Sequence, residues 1–327
     1  MATMSGKLNY FGMDCAPAKS TFNDALNRRS EKVFESIYFS LLAYFTPFLS
    51  DSRKEEVSFK QFFAFDSTTI RLFSEVLKGV GRKLKGSGKQ KGGMQVHMLT
   101  DIHADCARFV KMSAARMHDK KFLQYINCLT AGCMIVFDKA YNFYLQFAKW
   151  TQEGIFFVCR LKDNAKYEVM ETLFEQELTE KQAGVMKVEH IHLSCKEDKK
   201  QKMLCLRKVT YRDEKGRIYR FITNHWKITP EEVALIYKYR WSIELVFKKL
   251  KQNFQLLFFY SESENGIKTQ VWATLIAHLL LTVLMRKSET NKAFSSVAAL
   301  IRIHFQSFRP VLGHQKWQKK LPKANKI

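Results

Sequence analysis

The stretch that decides the fold is Tyr237–Lys251, with the sequence YKYRWSIELVFKKLK. It has no Gly or Pro and many strong helix formers, which predicts one helix. Pro230 and the two glutamates after it supply a start signal, because proline suits the first turn and acids suit the helix dipole. Spacings of 3, 4 and 7 residues place four distinctive side chains on one face, together with Lys248. These four are Tyr237, Arg240, Glu244 and Lys251.

This helix face allows two interpretations. A carboxylate beside a phenol and several cations suits a site for a metal-bound phosphate. The alternative is a solvated surface on which Glu244 pairs with Lys248. From these residues alone the solvated surface is favoured, so the rest of the chain must decide.

The composition indicates a polyanionic partner. The 327 residues include 54 Lys and Arg against 31 Asp and Glu, a net charge of +23. Such an excess predicts binding to nucleic acid first and to an anionic membrane surface second. The longest apolar run, Val271–Met285, is 15 residues long, short of the roughly 20 that a spanning helix needs. We therefore expect a buried helix there and no membrane partner.

The cysteines and histidines show no metal-ligand spacing. Seven cysteines are scattered without a C-x-x-C pair, which indicates reduced thiols in a cytoplasmic protein and argues against a structural zinc site. His190 and His192 alternate with Ile191, so they are predicted to share one face of a strand.

Two aspartates are predicted at strand ends. Gln61–Asp66 reads as a strand, followed by a tight turn and a second strand, Ile70–Phe73. Cys133–Asp138 is a continuous apolar run, typical of a strand buried on both faces, and a helix start follows it. Carboxylates at such strand ends often hold ligands, although they also cap turns and helices. Asp101, Asp105 and the His118–Asp119 pair are competing candidates.

The remaining pattern alternates strands and helices. A helix over residues 31–49 has an apolar stripe of Val33, Ile37, Leu41 and Tyr44. Further helices are predicted at Lys120–Leu129, Gly266–Met285 and residues 290–308. Strands are predicted at Met94–Thr100, Gly154–Leu161, Val185–Ser194, Met203–Tyr211 and Ile218–Thr223.

Two basic segments lie outside the helix of the opening stretch. Between Lys78 and Lys91 there are six basic residues and no acid, so Arg82, Lys83 and Lys85 are candidate contacts for a DNA backbone. A solvated loop is the alternative. The tail from Gly313 is also basic, and Arg160 is a further candidate DNA contact.

The pattern Tyr, two residues, Arg, three residues, Glu, six residues, Lys resembles the signature of DDE transposases in the insertion-sequence-four family. The phrases DSTTI from Asp66 and FDKAY around Asp138 are similar to the family's two aspartate motifs. The resemblance implies that Asp66, Asp138 and Glu244 are the catalytic metal ligands. It implies that Tyr237, Arg240 and Lys251 bind DNA phosphates, with Lys248 on the same face.

The resemblance also implies an RNase H-like α/β fold, in which a mixed sheet with flanking helices is interrupted by a β-rich insertion. Five segments follow: a helical N-terminal region (1–58), the first part of the core (59–162), the insertion (163–229), the second part of the core (230–288) and a C-terminal helix with a basic tail (289–327). The N-terminal region resembles only the later part of the DNA-binding region usual in the family. A truncated start and a short helical cap on the core are the two interpretations.

The implied function is cut-and-paste transposition of an insertion sequence, by strand cleavage and 3′-hydroxyl strand transfer through a hairpin end. Two Mg²⁺ or Mn²⁺ ions per site are implied as cofactors, since three carboxylates with open positions suit them. The implied partners are transposon-end and target DNA, bound by a homodimer in a synaptic complex on the bacterial nucleoid in the cytoplasm. The alternatives are an inactive remnant that only binds DNA and an RNase H-like nuclease without strand transfer.

Overall fold

The computed structural model describes residues 17–49, 59–71, 93–114, 119–179, 182–197, 200–254, 256 and 259–307. The helices are α1 Lys19–Arg28, α2 Glu31–Leu49, α3 Tyr144–Gln152, α4 Pro230–Tyr239, α5 Trp241–Asn253, α6 Glu264–Lys287 and α7 Phe294–Ser307. The strands are β1 Phe62–Arg71, β2 Gly93–Asp101, β3 Cys106–Ala114, β4 Met134–Phe137, β5 Phe156–Arg160, β6 Glu168–Glu175, β7 Gly184–Glu197, β8 Lys200–Arg212 and β9 Ile218–Thr223.

These strands form one mixed sheet in the order β3-β2-β1-β4-β5-β9-β8-β7-β6. The first three strands are antiparallel neighbours, while β4 pairs parallel with β1 and β5 pairs parallel with β4. This is the mixed, helix-flanked sheet of an RNase H-like core, as the sequence predicts. Strands β6 to β9 continue the same sheet through the antiparallel pairing of β9 with β5.

The expected hairpin around Asp66 is wrong. β1 runs unbroken through Ser67, Thr68 and Thr69 and pairs with β2 from Phe63 to Arg71. Asp66 therefore lies inside a strand, opposite Met98. β-branched residues such as Thr68 and Thr69 favour extended backbone, and this preference prevails over the turn. Strands β3 and β6 were not predicted.

The predicted helix Lys120–Leu129 is also wrong, because the chain forms a short 3-10 helix over Asp119–Tyr125. The predicted strands at Met94–Thr100, Cys133–Asp138, Gly154–Leu161, Val185–Ser194, Met203–Tyr211 and Ile218–Thr223 are confirmed, and so are the helices near 31–49, 266–285 and 290–308.

Alternation along the central strands sorts their side chains onto two cores. Phe62 and Ala64 pack into the cluster shared with α2, α4, α5 and α6. Phe63 and Phe65 pack into the cluster on the opposite face, beside α3. Because side chains alternate with a period of two, Asp66 follows Ala64 on the face covered by α4 and α5.

Polar contacts fix the N-terminal helices to α6. The Asn265 amide donates to the carbonyls of Leu26 and Arg29, at 2.7 Å each, and its oxygen accepts from the Glu31 N–H at 3.0 Å. The Tyr38 hydroxyl donates to the Ala107 carbonyl at 2.8 Å. Since α2 is thus tied to both α6 and β3, its orientation is determined by these contacts.

The apolar stripe predicted for α2 is wrong. Val33, Ile37 and Tyr44 are exposed, whereas Tyr38, Leu42 and Leu49 are buried. Apolar residues occur on more than one side of this helix, so periodicity allows two stripes. Packing of Tyr38 against Trp272 of α6, with ring centroids 5.7 Å apart, selects the buried one.

Helix α6 is 24 residues long and apolar enough to cross a membrane by length and composition. Most of its apolar stretch is nevertheless buried inside the protein, including Ile267, Val271 and Leu279. This is the burial of a core helix, which agrees with the sequence interpretation.

Several sequence predictions lie outside the described residues. These are the basic segment with Arg82, Lys83 and Lys85, the His118 position, and the basic tail from Gly313.

The two faces of α2 give the first test. Leu42 is buried against the core and Ile37 is largely exposed. We expect Leu42→Ala to lower the free energy of unfolding by about 2–4 kcal/mol, because it leaves a cavity. Ile37→Ala should cost less than about 1 kcal/mol. Urea unfolding of both variants checks this, and equal losses would contradict the orientation of α2.

Candidate active site

The register of two parallel strands brings Asp66 and Asp138 side by side. The last recorded pair between β1 and β4 is Phe65 with Phe137, and the two aspartates follow immediately. Met134 and Val136 of β4 pack into the same cluster as Ala64, so Asp138 points to the same face as Asp66 by alternation. Neighbouring strands are only about 4.8 Å apart, which places the two carboxylates in one site.

Two helices, rather than the predicted single helix, supply the third acid. Helix α4 starts with Pro230 after the N-cap Thr229, whose side chain forms a capping box with Glu232. The start signal is thus confirmed. The helix is interrupted at Arg240, which separates α4 from α5, although its backbone stays in the right-handed helical region. The side chains from both helices therefore still reach the same face of the sheet.

Arg240 joins two of the three acids directly. Its Nη1 donates to Asp66 Oδ2 at 3.1 Å, and its Nη2 donates to Glu244 Oε1 at 2.7 Å. The guanidinium is largely buried, with its side chain 16% exposed. A planar fork can hold two carboxylates at once, which an ammonium does less well. Glu244 consequently pairs with Arg240. The solvated-surface alternative required a pair with Lys248 instead.

Tyr237 holds the remaining acid. Its hydroxyl donates to Asp138 Oδ1 at 3.0 Å. Burial, together with the charge of Asp138, raises the pKa of the Tyr237 phenol well above its usual range, so the hydroxyl keeps its proton and acts as a donor. The ring packs on Phe221 of β9, with centroids 4.7 Å apart. Tyr237 and Arg240 thus contact all three acids. The third acid, Glu244, is itself part of the Tyr-Arg-Glu pattern.

The environment of Asp66 disfavours its charge. Burial raises the pKa of Asp66 to about 6, and the charges of Glu244 and Asp138 act in the same direction. The Ser67 N–H, which donates to Asp66 Oδ1 at 2.8 Å, and Arg240 oppose this rise without cancelling it. A carboxylate that water solvates poorly gains more than an exposed one from a bound cation.

Two lysines of the signature helix lie further along α5. Lys251 is seven residues beyond Glu244 and partly buried near Thr68 of β1. Lys248 is exposed. Both lysines follow Glu244 on the helix, so they extend the charged face beyond the carboxylates.

The competing aspartates have other roles. Asp101 Oδ1 accepts from the N–H groups of His103 and Ala104, and its Oδ2 accepts from Arg108 at 2.9 and 3.1 Å. Asp101 therefore anchors the turn between β2 and β3. Asp105 pairs with Lys249 of α5.

The donor set suits a hard divalent cation. Asp66, Asp138 and Glu244 offer oxygen ligands, the kind that Mg²⁺ and Mn²⁺ prefer. Of the three, Asp66 and Glu244 already share one cation, the guanidinium of Arg240. The side chains of Asp66 and Glu244 are 20% and 33% exposed, so the carboxylates remain open to solvent on one side. A metal ion could enter there.

Sequence reasoning missed two positioning contacts. Phe221 supports the ring of Tyr237 from the β-rich insertion. Arg160, considered as a DNA contact, lies over the ring of Tyr219 at 5.0 Å, and Tyr219 stacks on Phe221 with centroids 5.8 Å apart. Both contacts depend on the β5–β9 pairing, which no local pattern in the sequence specifies.

Comparisons with known proteins identify the family of this chain. Residues 57–280 match the family model described as the transposase DDE domain. A protein of Sinorhizobium fredii named as a transposase is 29% identical over 62% of this chain and 58% of its own length. A protein of Geobacillus stearothermophilus named as a transposase for insertion sequence element IS5377 is 25% identical over 65% of this chain and 55% of its own.

A third relative, from Synechocystis and named as a transposase for insertion sequence element IS4SA, is 24% identical over 83% of this chain and 73% of its own length. The chain thus spans somewhat more than half the length of the first two relatives. These insertion-sequence names are consistent with the insertion-sequence-four pattern read from the sequence. With a family model that covers most of its length, the chain belongs to the DDE transposase family.

Proposed function

We propose that this protein is the transposase of an insertion sequence and cleaves DNA strands with the help of divalent metal ions. One observation carries the proposal: Asp66, Asp138 and Glu244 converge on one face of the sheet, and Arg240 and Tyr237 bind them directly. The net charge of +23 supports DNA as the substrate, because a polyanion is attracted to such a field.

Asp66, Asp138 and Glu244 would hold the metal, as one or two Mg²⁺ or Mn²⁺ ions. When bound, such ions lower the pKa of an attacking water or 3′-hydroxyl and stabilise the charge on the leaving oxygen. The residues of the chain then orient the DNA, and no side-chain nucleophile is required.

Arg240 has two roles in this proposal. Without metal it balances the charges of Asp66 and Glu244. A metal ion held by those carboxylates would supply positive charge beside them. The guanidinium could then bind a DNA phosphate through two parallel hydrogen bonds. Arg240 thereby contributes to both the metal-free and the DNA-bound state.

Tyr237, Lys251 and Lys248 complete the proposed DNA contacts. Tyr237 orients Asp138 through its hydroxyl, which donates to Oδ1. It would contact DNA by donating the same proton to a phosphate oxygen. The two lysines act as point charges further along the same face. Arg82, Lys83 and Lys85 would extend the contact surface.

We further propose the finer steps that the family resemblance implies. The 3′-hydroxyl freed by the first cut attacks the opposite strand, gives a hairpin end, and later joins target DNA. Two copies of the chain would act together on paired transposon ends in a synaptic complex, in the cytoplasm on nucleoid DNA. A chain that only binds DNA, or one that only hydrolyses it, would fail the experiments below.

The buried charge of Asp66 gives a stability prediction. Its raised pKa means that this group favours folding below about pH 3.8, and that the gain is lost as the pH rises through about 6. Asparagine resembles the neutral acid. In metal-free protein at about pH 7.5, we therefore expect Asp66→Asn to raise the free energy of unfolding by ~1–3 kcal/mol. The difference should vanish near about pH 4.

Metal should reverse this order. Saturating Mg²⁺ should raise the melting temperature of the unchanged protein and leave that of Asp66→Asn nearly constant, since ligands stabilise only the state that binds them. Glu153→Gln, an exposed change at the end of α3, is the matched control. A loss of stability in metal-free Asp66→Asn at neutral pH would contradict the raised pKa of Asp66.

Cleavage of DNA that carries the element's own ends tests the three acids. We expect Asp66→Ala, Asp138→Ala and Glu244→Ala each to reduce nicking by at least about 10³-fold, because losing a metal ligand costs several kcal/mol of transition-state stabilisation. DNA binding should persist in all three. Asp101→Asn should instead lower thermal stability and retain the chemistry. If Asp101→Asn abolished nicking and Asp138→Ala did not, Asp138 would be the wrong ligand.

The fork of Arg240 has a separate test. Arg240→Lys keeps the charge and cannot make both hydrogen bonds in the same geometry. We expect hairpin formation to fall about 10–100-fold, the cost of a charge-assisted hydrogen bond, while the first nick falls much less. The ratio of hairpin to nicked product on a sequencing gel measures this. Lys149→Arg, an exposed change on α3 outside the proposed DNA contacts, is the control. An unchanged ratio in Arg240→Lys would count against phosphate binding by the fork.

A further inference from the structure

A second group of metal-binding side chains lies in the insertion, away from the three acids. His190 and His192 on β7 and Cys205 on β8 each offer one ligand atom, and these atoms all lie within 4.8 Å of one another. Among the residues that the structure describes, no other group of three or more His, Cys, Asp and Glu has its ligand atoms this close. Asp66 and Glu244 of the proposed active site are instead bridged by the guanidinium of Arg240. The transposase chemistry proposed above does not use it.

The sequence produces this group through strand register. Ile191 and Leu193 point into the core beside α3, so the alternating residues His190 and His192 lie together on the opposite face. The pairing of β7 with β8 places His192 directly opposite Cys205. The histidine pair was predicted to share a face, which is confirmed, but the cysteine 13 residues further on could not be connected to it without the register.

The geometry is close to that of a metal site. His192 Nε2 lies 3.1 Å from Cys205 Sγ, and the rings of His190 and His192 are 5.3 Å apart at 79°. A tetrahedral zinc ion bound to sulfur at about 2.3 Å and to nitrogen at about 2.0 Å separates these two atoms by about 3.5 Å. Small side-chain rotations therefore suffice to admit an ion.

One atom in the group lacks a partner. His190 Nε2 is inaccessible to solvent and makes no hydrogen bond. A buried nitrogen of this kind costs free energy unless something satisfies it. The ring of Trp226 lies edge-on to the ring of His190, with centroids 5.1 Å apart. An unsatisfied imidazole nitrogen beside a second imidazole and a thiol is what a transition-metal ion would satisfy.

We propose that His190, His192 and Cys205 bind one Zn²⁺ ion. Two imidazoles and a thiolate favour zinc over Mg²⁺ or Ca²⁺, which prefer oxygen. Binding forms one Zn–S bond and two Zn–N bonds, and the thiol proton of Cys205 passes to solvent. Three protein ligands leave the fourth position to water.

Such an ion would affect helix α4, which carries Tyr237, through Trp226. It would clamp β7 to β8 and hold His190 against the Trp226 ring. The Trp226 and Ile228 carbonyls accept from Arg207 of β8 at 3.2 and 2.7 Å, and Thr229 then caps α4. The ion would therefore stiffen the segment from which the helix with Tyr237 and Arg240 begins.

Cobalt supplies a direct test, since Co²⁺ replaces Zn²⁺ in such sites and is coloured. Metal-free full-length protein titrated with Co²⁺ should develop a thiolate-to-cobalt charge-transfer band and the visible bands of a tetrahedral ion, saturating at one equivalent. Added Zn²⁺ should remove them. Cys205→Ser should abolish the charge-transfer band, and His192→Ala should weaken Co²⁺ binding at least about tenfold.

The matched control is Cys128→Ser, which removes another exposed cysteine and should leave the bands unchanged. Excess Zn²⁺ should also raise the melting temperature by roughly 3–8 °C, in Asp66→Asn as much as in the unchanged protein, but not in Cys205→Ser. If the wild type shows no charge-transfer band, or Cys205→Ser retains it, the three residues are only hydrogen-bonded. Neither result depends on DNA cleavage, so the proposed function is tested separately.

Discussion

The active site depends on one partly buried ion network, in which the guanidinium of Arg240 joins Asp66 to Glu244. Charges that are partly removed from water are tolerated only when they are paired. Asp66 lies on β1 and Glu244 lies on α5, so these ionic contacts also attach α5 to β1. Without them, two carboxylates would face each other across the site.

The sheet supplies the other constraint. Asp66 and Asp138 become neighbours because β1 and β4 are parallel and in register up to Phe65 and Phe137. Alternation then directs both carboxylates away from the aromatic core that contains these two phenylalanines. A shift of one residue in either strand would send one aspartate into that core. The packing of Phe65 and Phe137, both fully buried, therefore fixes the register that places the two acids.

Local patterns in the sequence predicted much of this. The spacing of Tyr237, Arg240 and Glu244 placed them on one face, and the apolar run ending at Asp138 identified a buried strand. What could not be predicted is long-range. Tyr237 and Asp138 are bonded although 99 residues apart in the chain. The buried side of α2 could not be predicted either, because apolar residues occur on more than one side of that helix. Its contacts with α6 and β3 distinguish Tyr38 and Leu42 from Ile37.

The insertion is connected to the three acids through strand pairing and side-chain contacts. Its last strand, β9, pairs with the central strand β5 on one side and with β8 on the other. Phe221 of β9 packs on the ring of Tyr237, which holds Asp138. A displacement of β8 against its neighbours would therefore reach an acid through two side chains. His192 and Cys205 join β7 to β8 at the opposite end of this path. An ion bound there would therefore restrain the sheet against which the ring of Tyr237 packs.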